Sequence, residues 1–113
     1  MPVTMKQLLE EMVQRNSTDL HLTTGAPPMY RIDGDLVPTN YEIMTPELIQ
    51  NLIYSVLNDQ QKKKFEMEWE LDFSFGIAGL SRFRGNCFQQ RGSVAAALRT
   101  IPFEIRGFKE LGI

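Results

Sequence analysis

With a single cysteine, Cys87, the chain has no route to an internal disulfide or a cysteine-rich metal site. The lone histidine, His21, has no second ligand at metal-binding spacing. Basic residues are not in surplus. Twelve Lys and Arg stand against 14 Asp and Glu, for a formal net charge of −2. That balance argues against a nucleic-acid binder, which needs a large cationic surface, but it leaves room for a small cationic spot. No apolar run approaches the length of a membrane span. The opening MPVTMKQLLEEM is amphipathic and acidic, without the apolar stretch of a signal peptide. The expected compartment is therefore the reducing cytoplasm. A Gly-rich loop ending in Gly-Lys-Ser/Thr is also missing, so the chain does not cradle a triphosphate in the P-loop manner. No serine stands in a recognisable nucleophile context. What is present is ordinary for a globular chain of 113 residues, with 42% hydrophobic and 23% charged residues. That suits one domain with one modest core.

The pattern changes period along the chain. Residues 4–15 read as a helix capped by Thr4, with Met5, Leu8, Leu9, Met12 and Val13 on one face. Asn16-Ser17 stops it. DLHLT (19–23) is short and extended, and GAPP (25–28) breaks it. MYRI (29–32) and DLVP (35–38) flank Asp33-Gly34, a strong hairpin signal. Thr45-Pro46 opens a second helix with Leu48, Ile49, Leu52, Ile53, Val56 and Leu57 on its apolar face. Asn58-Asp59 starts a third. LDFSF (71–75) then alternates strictly, and Gly76 and Gly79 mark a turn. Helices grouped against a mostly antiparallel sheet predict an α+β domain. The abrupt end, without a polar tail, leads us to expect a linker and a further domain beyond it.

SRFRGNCFQQRGSVAAALRTIP (81–102) predicts the last hairpin. With Arg91-Gly92 at the turn, Phe88 faces Ala95, Asn86 faces Ala97 and Arg84 faces Arg99. The opposite face collects Phe83, Cys87, Val94, Ala96 and Leu98. A one-residue slip would mix arginines with leucine and valine, so the apolar pattern selects the first register. Arginine suits a two-residue turn poorly, so a four-residue loop of the same register is an equal alternative. The register sets two guanidinium groups opposite each other, with Arg82 two residues away on the same face. Like charges so placed repel by roughly 0.2–1 kcal/mol. Two readings stay open on pattern alone. One is a solvated face neutralised by Asp or Glu. The other is a clamp for an external anion, since paired guanidinium donors fit phosphate oxygens.

STDLHLTTGAPPMYRIDGDL (17–36), ELDFSFGIAGLSRFRGNCFQQRG (70–92) and LRTIP (98–102) resemble the N-terminal domain of the PilT-type ATPases, the motors that retract type IV pili in twitching motility. FKELGI (108–113) resembles the segment before their ATPase domain. The resemblance covers nearly the whole chain and is weakest over 37–69. It implies a PAS-like fold over residues 1–113, with a curved antiparallel sheet and helices on one face. It also implies a RecA-like ATPase domain outside this chain, which carries the Walker motifs, and a homo-hexameric ring. The ring would work with the pilus platform machinery at the cytoplasmic face of the inner membrane. ATP, with Mg, would lie between the two domains. The family's RFR and R-x-I-P arginines fall on Arg84 and Arg99, which are implied to reach the γ-phosphate. Arg106 and Arg82 are weaker candidates. No ATPase activity is expected of this chain alone, and it needs no cofactor by itself.

Other residues carry plainer expectations. His21 is expected to be structural or hydrogen-bonded. Asp19 and Asp33 are read as turn chemistry rather than acid/base groups. Lys62-Lys63-Lys64 is read as a solvated helix face. Trp69 and Phe73 are expected in the core, with a PAS-type ligand cavity as the alternative. Cys87 is expected to face inward and be inert. The competing functions are a stand-alone PAS-like small-molecule sensor and a nucleic-acid binder using the basic hairpin; a free-standing enzyme ranks last.

Overall fold

Local signals set the element boundaries in the computed structural model, which describes residues 3–101. Helix α1 (Met5–Gln14) begins at a reciprocal capping box. Thr4 Oγ1 accepts from the Gln7 amide, and the Gln7 side chain accepts from the Thr4 amide. It ends where Asn16 turns left-handed at φ 56°. Strands β1 (Asp19–Thr23), β2 (Met29–Ile32) and β3 (Asp35–Pro38) follow. Thr45 caps α2 (Pro46–Tyr54), and an Asn58/Gln61 capping box opens α3 (Asp59–Glu68). Strands β4 (Glu70–Ile77), β5 (Ser81–Gln90) and β6 (Ser93–Ile101) complete the order.

The six strands form one antiparallel sheet in the order β3-β2-β1-β6-β5-β4. The first and last strands therefore pair at its centre. The expected α+β class, antiparallel sheet and one-sided helices are all present. Helix α1 lies on β1, α2 on β6 and α3 on β4. They cover the face that carries Leu20, Leu22, Tyr30, Phe83, Cys87, Val94, Ala96 and Leu98, all buried. Burying that apolar face is the main stabilising term.

Several expectations need correction. Gly76 does not turn the chain; it lies within β4, opposite Arg82, and the turn follows Ile77. A Cβ on Gly76 would meet Arg82 Nη1 at 3.2 Å, so the bare backbone there gives the Arg82 side chain its seat. Of the two turn forms left open for the last hairpin, the chain takes the tight two-residue one, with Arg91 at φ 53° and Gly92 at φ 80°. This is the left-handed pair that best matches the strand twist, and Arg91 accepts the strain. Trp69 is not a core residue. It caps α3 in a left-handed conformation and is half exposed, its ring edge-on to Phe65 at 6.1 Å. Phe73 is buried as expected.

Candidate phosphate-binding face

The face of the sheet away from helices α1, α2 and α3 carries the charges. Hairpin β5–β6 has the expected register, with Arg84 opposite Arg99, Asn86 opposite Ala97 and Phe88 opposite Ala95. Strand β1 extends the row, because Asp19 stands opposite Arg99 on one side and Arg31 on the other. Four neighbouring strands thus present Arg31, Asp19, Arg99 and Arg84 side by side. The signs run plus, minus, plus, plus.

Asp19 supplies the compensation that two opposed arginines require. Arg99 Nε donates to Asp19 Oδ1 at 2.9 Å, and Arg31 Nε lies 3.5 Å from Asp19 Oδ2. The turn reading of Asp19 is therefore wrong. It sits in strand β1 as a carboxylate between two guanidinium groups, with only 13% of its side chain exposed. Arg31 is anchored further by a hydrogen bond from Nη1 to the Gly34 carbonyl at 2.8 Å. Asp33 keeps its turn role, at φ 52° beside Gly34.

Arg84 differs. Among the described residues it has no carboxylate within ion-pair distance, and it is exposed. Arg82 is exposed one pleat away, opposite Gly76 and Ile101. Arg106 lies outside the described residues. Beside Arg84 and Arg99 is an open hollow of about 460 Å³, bordered by Asp19, His21, Asp72, Asn86 and Ala97. Ala97 stands between His21 and Asn86 in the register, so its small side chain leaves room there.

His21, expected to be structural or hydrogen-bonded, lines this hollow from strand β1. Its Nε2 is buried without a hydrogen-bond partner among the described residues. No group of His, Cys, Asp or Glu among the described residues could hold a metal ion. Cys87 is buried, and burial, with a smaller effect from Asp72, pushes its thiol up to about 12. Lys63 and Lys64 are exposed, while Lys62 sits over the Tyr54 ring at 5.6 Å. No helix among the described residues is long and apolar enough to cross a membrane.

No family model matches the chain. Known proteins do. The type IV pilus retraction ATPase PilT of Pseudomonas aeruginosa is 41% identical over 107 residues, covering 95% of this chain and 31% of its own length. A solved structure of the pilus retraction motor PilT with bound ADP superposes at a TM-score of 0.85 with 42% identity. That match covers 98% of this chain and 33% of the other. The chain has the sequence and fold of the N-terminal domain of a PilT-type ATPase. PilU of Pseudomonas aeruginosa is 33% identical over 106 residues, covering 94% of this chain and 28% of its own length. The Legionella pneumophila ATPase DotB, at 22% identity over 89% of this chain and 30% of its own, shares the PilT-type fold at a TM-score of 0.74. The chain spans about a third of the length of the PilT and PilU relatives it matches.

Sequence reasoning set Arg84 opposite Arg99, as the sheet has them, but did not anticipate that Asp19 would pair with Arg99 and Arg31. The alternation of DLHLT marks Asp19 as a face partner of His21. The pairing of Asp19 with Arg99, however, spans 80 residues, and no local pattern announces it.

Proposed function

We propose that this chain is the nucleotide-sensing, force-transmitting N-terminal domain of a hexameric motor ATPase that retracts type IV pili. A RecA-like ATPase domain binds ATP with Mg, and Arg84 and Arg99 of this domain donate to the γ-phosphate. The observation that carries the reading is the directly opposed Arg84/Arg99 pair on the sheet face away from the three described helices. Two neighbouring guanidinium groups offer planar paired donors to the oxygens of a terminal phosphate. Arg82, exposed one pleat away, adds charge at the rim. Closure of the two domains around ATP brings the arginine row to the phosphate, and hydrolysis with phosphate loss releases it. Such a cycle turns a phosphate contact into domain rotation. The motor works at the cytoplasmic face of the inner membrane, against the pilus platform.

The sensor reading has less support. It needs Trp69 and Phe73 to line one cavity. Trp69 instead packs on Phe65 at the surface, and Phe73 stacks on Phe75 at 5.9 Å within the core.

The test is a chimera in which this chain replaces the matching segment of Pseudomonas aeruginosa PilT. Arg84→Ala and Arg99→Ala are expected to lower ATP hydrolysis by roughly a hundredfold to a thousandfold while the ring still assembles, as loss of a donor to developing charge does. An assembled double variant that hydrolyses at the unsubstituted chimera's rate contradicts the proposal.

A further inference from the structure

We propose that Asp19 is a positioning residue for phosphate binding: it holds Arg99 by its Nε edge and leaves the two terminal amino groups free for the ligand. The inference rests on the phosphate reading of Arg84 and Arg99 given above.

The geometry is specific to one side of the pair. Arg99 has 72% of its side chain exposed, so without an anchor its long stem would sample many rotamers. Asp19 engages Nε alone, at 2.9 Å. Nε is one of five donors in the guanidinium fork, and the four terminal N–H groups stay available. The carboxylate is itself braced. Arg31 Nε approaches its second oxygen at 3.5 Å, and Arg31 Nη1 is tied to the Gly34 carbonyl. The Ser17 hydroxyl also donates to the Asp19 carbonyl at 2.6 Å, fixing the start of β1. A relay from the β2–β3 turn through Arg31 and Asp19 thus sets the direction of Arg99. Arg84 has no such relay among the described residues. The pair therefore has a fixed arm, Arg99, and a free arm, Arg84.

A carboxylate beside an anion site can act in two opposite ways, and the sign of its removal separates them. As a competing counter-charge it weakens phosphate binding, and removing it strengthens binding. As a positioning group it preorganises the donor, and removing it weakens binding. The single-edge contact and its bracing favour the second.

The experiment measures binding of inorganic tripolyphosphate to the full chain by NMR, reading backbone amides and the arginine Nε–H signals. Wild type, Asp19→Asn and Asp19→Ala are compared, with the amide fingerprint reporting the fold. Arg99 is expected to give a resolved Nε–H signal without ligand in the wild type, and Arg84 is not. Affinity is expected to fall in the order wild type, Asp19→Asn, Asp19→Ala. The total loss should be about three- to tenfold, the range for one hydrogen bond's worth of preorganisation. Asn keeps the acceptor without the charge, so it should rescue in part. Equal or tighter binding by Asp19→Ala, with shifts still at Arg84 and Arg99, overturns the positioning inference and leaves the phosphate reading intact. No wild-type shifts at those arginines overturns the phosphate reading, and the inference falls with it.

Discussion

Gly85→Ala should destabilise the domain and disturb the arginine row from beneath. Gly85 lies in β5 between Arg84 and Asn86, on the helix-covered face opposite Phe73 and Leu98. A Cβ built there would stand 2.7 Å from Phe73 Cζ, 3.0 Å from Phe73 Cε2 and 3.3 Å from Leu98. The Phe73 ring has little room to yield. It stacks on Phe75 at 5.9 Å, and Phe75 stacks on Phe83 at 5.6 Å. Forcing one carbon into such packing costs about 1–3 kcal/mol. Replacing glycine returns about 0.4–1 kcal/mol by restricting the unfolded chain. Gly85 is not among the residues at positive φ, so no backbone strain adds to this. The net loss is therefore about 1–2 kcal/mol, and each kcal/mol lowers Tm by about 4–8 °C in a domain this size. Urea unfolding followed by far-UV circular dichroism measures it. Phe73→Leu removes the clashing ring edge, so the double variant should lose less than the sum of the singles, by about 1 kcal/mol. A Gly85→Ala variant as stable as the wild type, or strictly additive single effects, refutes the reasoning.

Three further outcomes follow from the fold. Arg91→Asn should stabilise by roughly 0.5–1 kcal/mol, because asparagine tolerates the left-handed conformation that Arg91 holds at φ 53°; the urea midpoint should rise at unchanged slope. Cys87 should stay silent to thiol reagents until the domain unfolds, since burial pushes its thiol up to about 12. Burial, with a hydrogen bond to Glu66, also pushes Tyr54 up to about 12, and burial raises Tyr30. The folded state keeps these protons while the unfolded state releases them. The resulting stability is thus fully present below the unfolded thiol's value of about 9 and is lost as pH rises toward 12. Buried Cys87 contributes a slope of up to about 1.4 kcal/mol per pH unit in that window, and the partly exposed Tyr54 contributes less. Urea midpoints measured between pH 7.5 and 11 should be level at first and then fall.

The hairpin register was legible because Phe83, Cys87, Val94, Ala96 and Leu98 can share a face in one alignment only, and all five are buried. Caps at Thr4, Thr45 and Asn58 were legible for a similar reason, since each bonds within three residues of itself. Three features were hidden. Arg91 in a left-handed turn runs against its own preference, and the strand pairing imposes it. Trp69 reads as core by its chemistry, yet the chain reverses there from helix to strand and leaves the ring half outside. The link between Asp19, Arg31 and Arg99 depends on three strands meeting at the sheet centre. That meeting follows from topology rather than from any spacing along the chain.

The most direct test of the arginine face is an amide-resolved NMR titration of this chain with Mg-ATP and, separately, Mg-ADP. The account predicts weak, salt-sensitive shifts over 82–86 and 97–101, larger with ATP than with ADP, and abolished in the Arg84→Ala/Arg99→Ala variant. Shifts clustered instead around Trp69, or shifts that survive loss of both arginines, would contradict it.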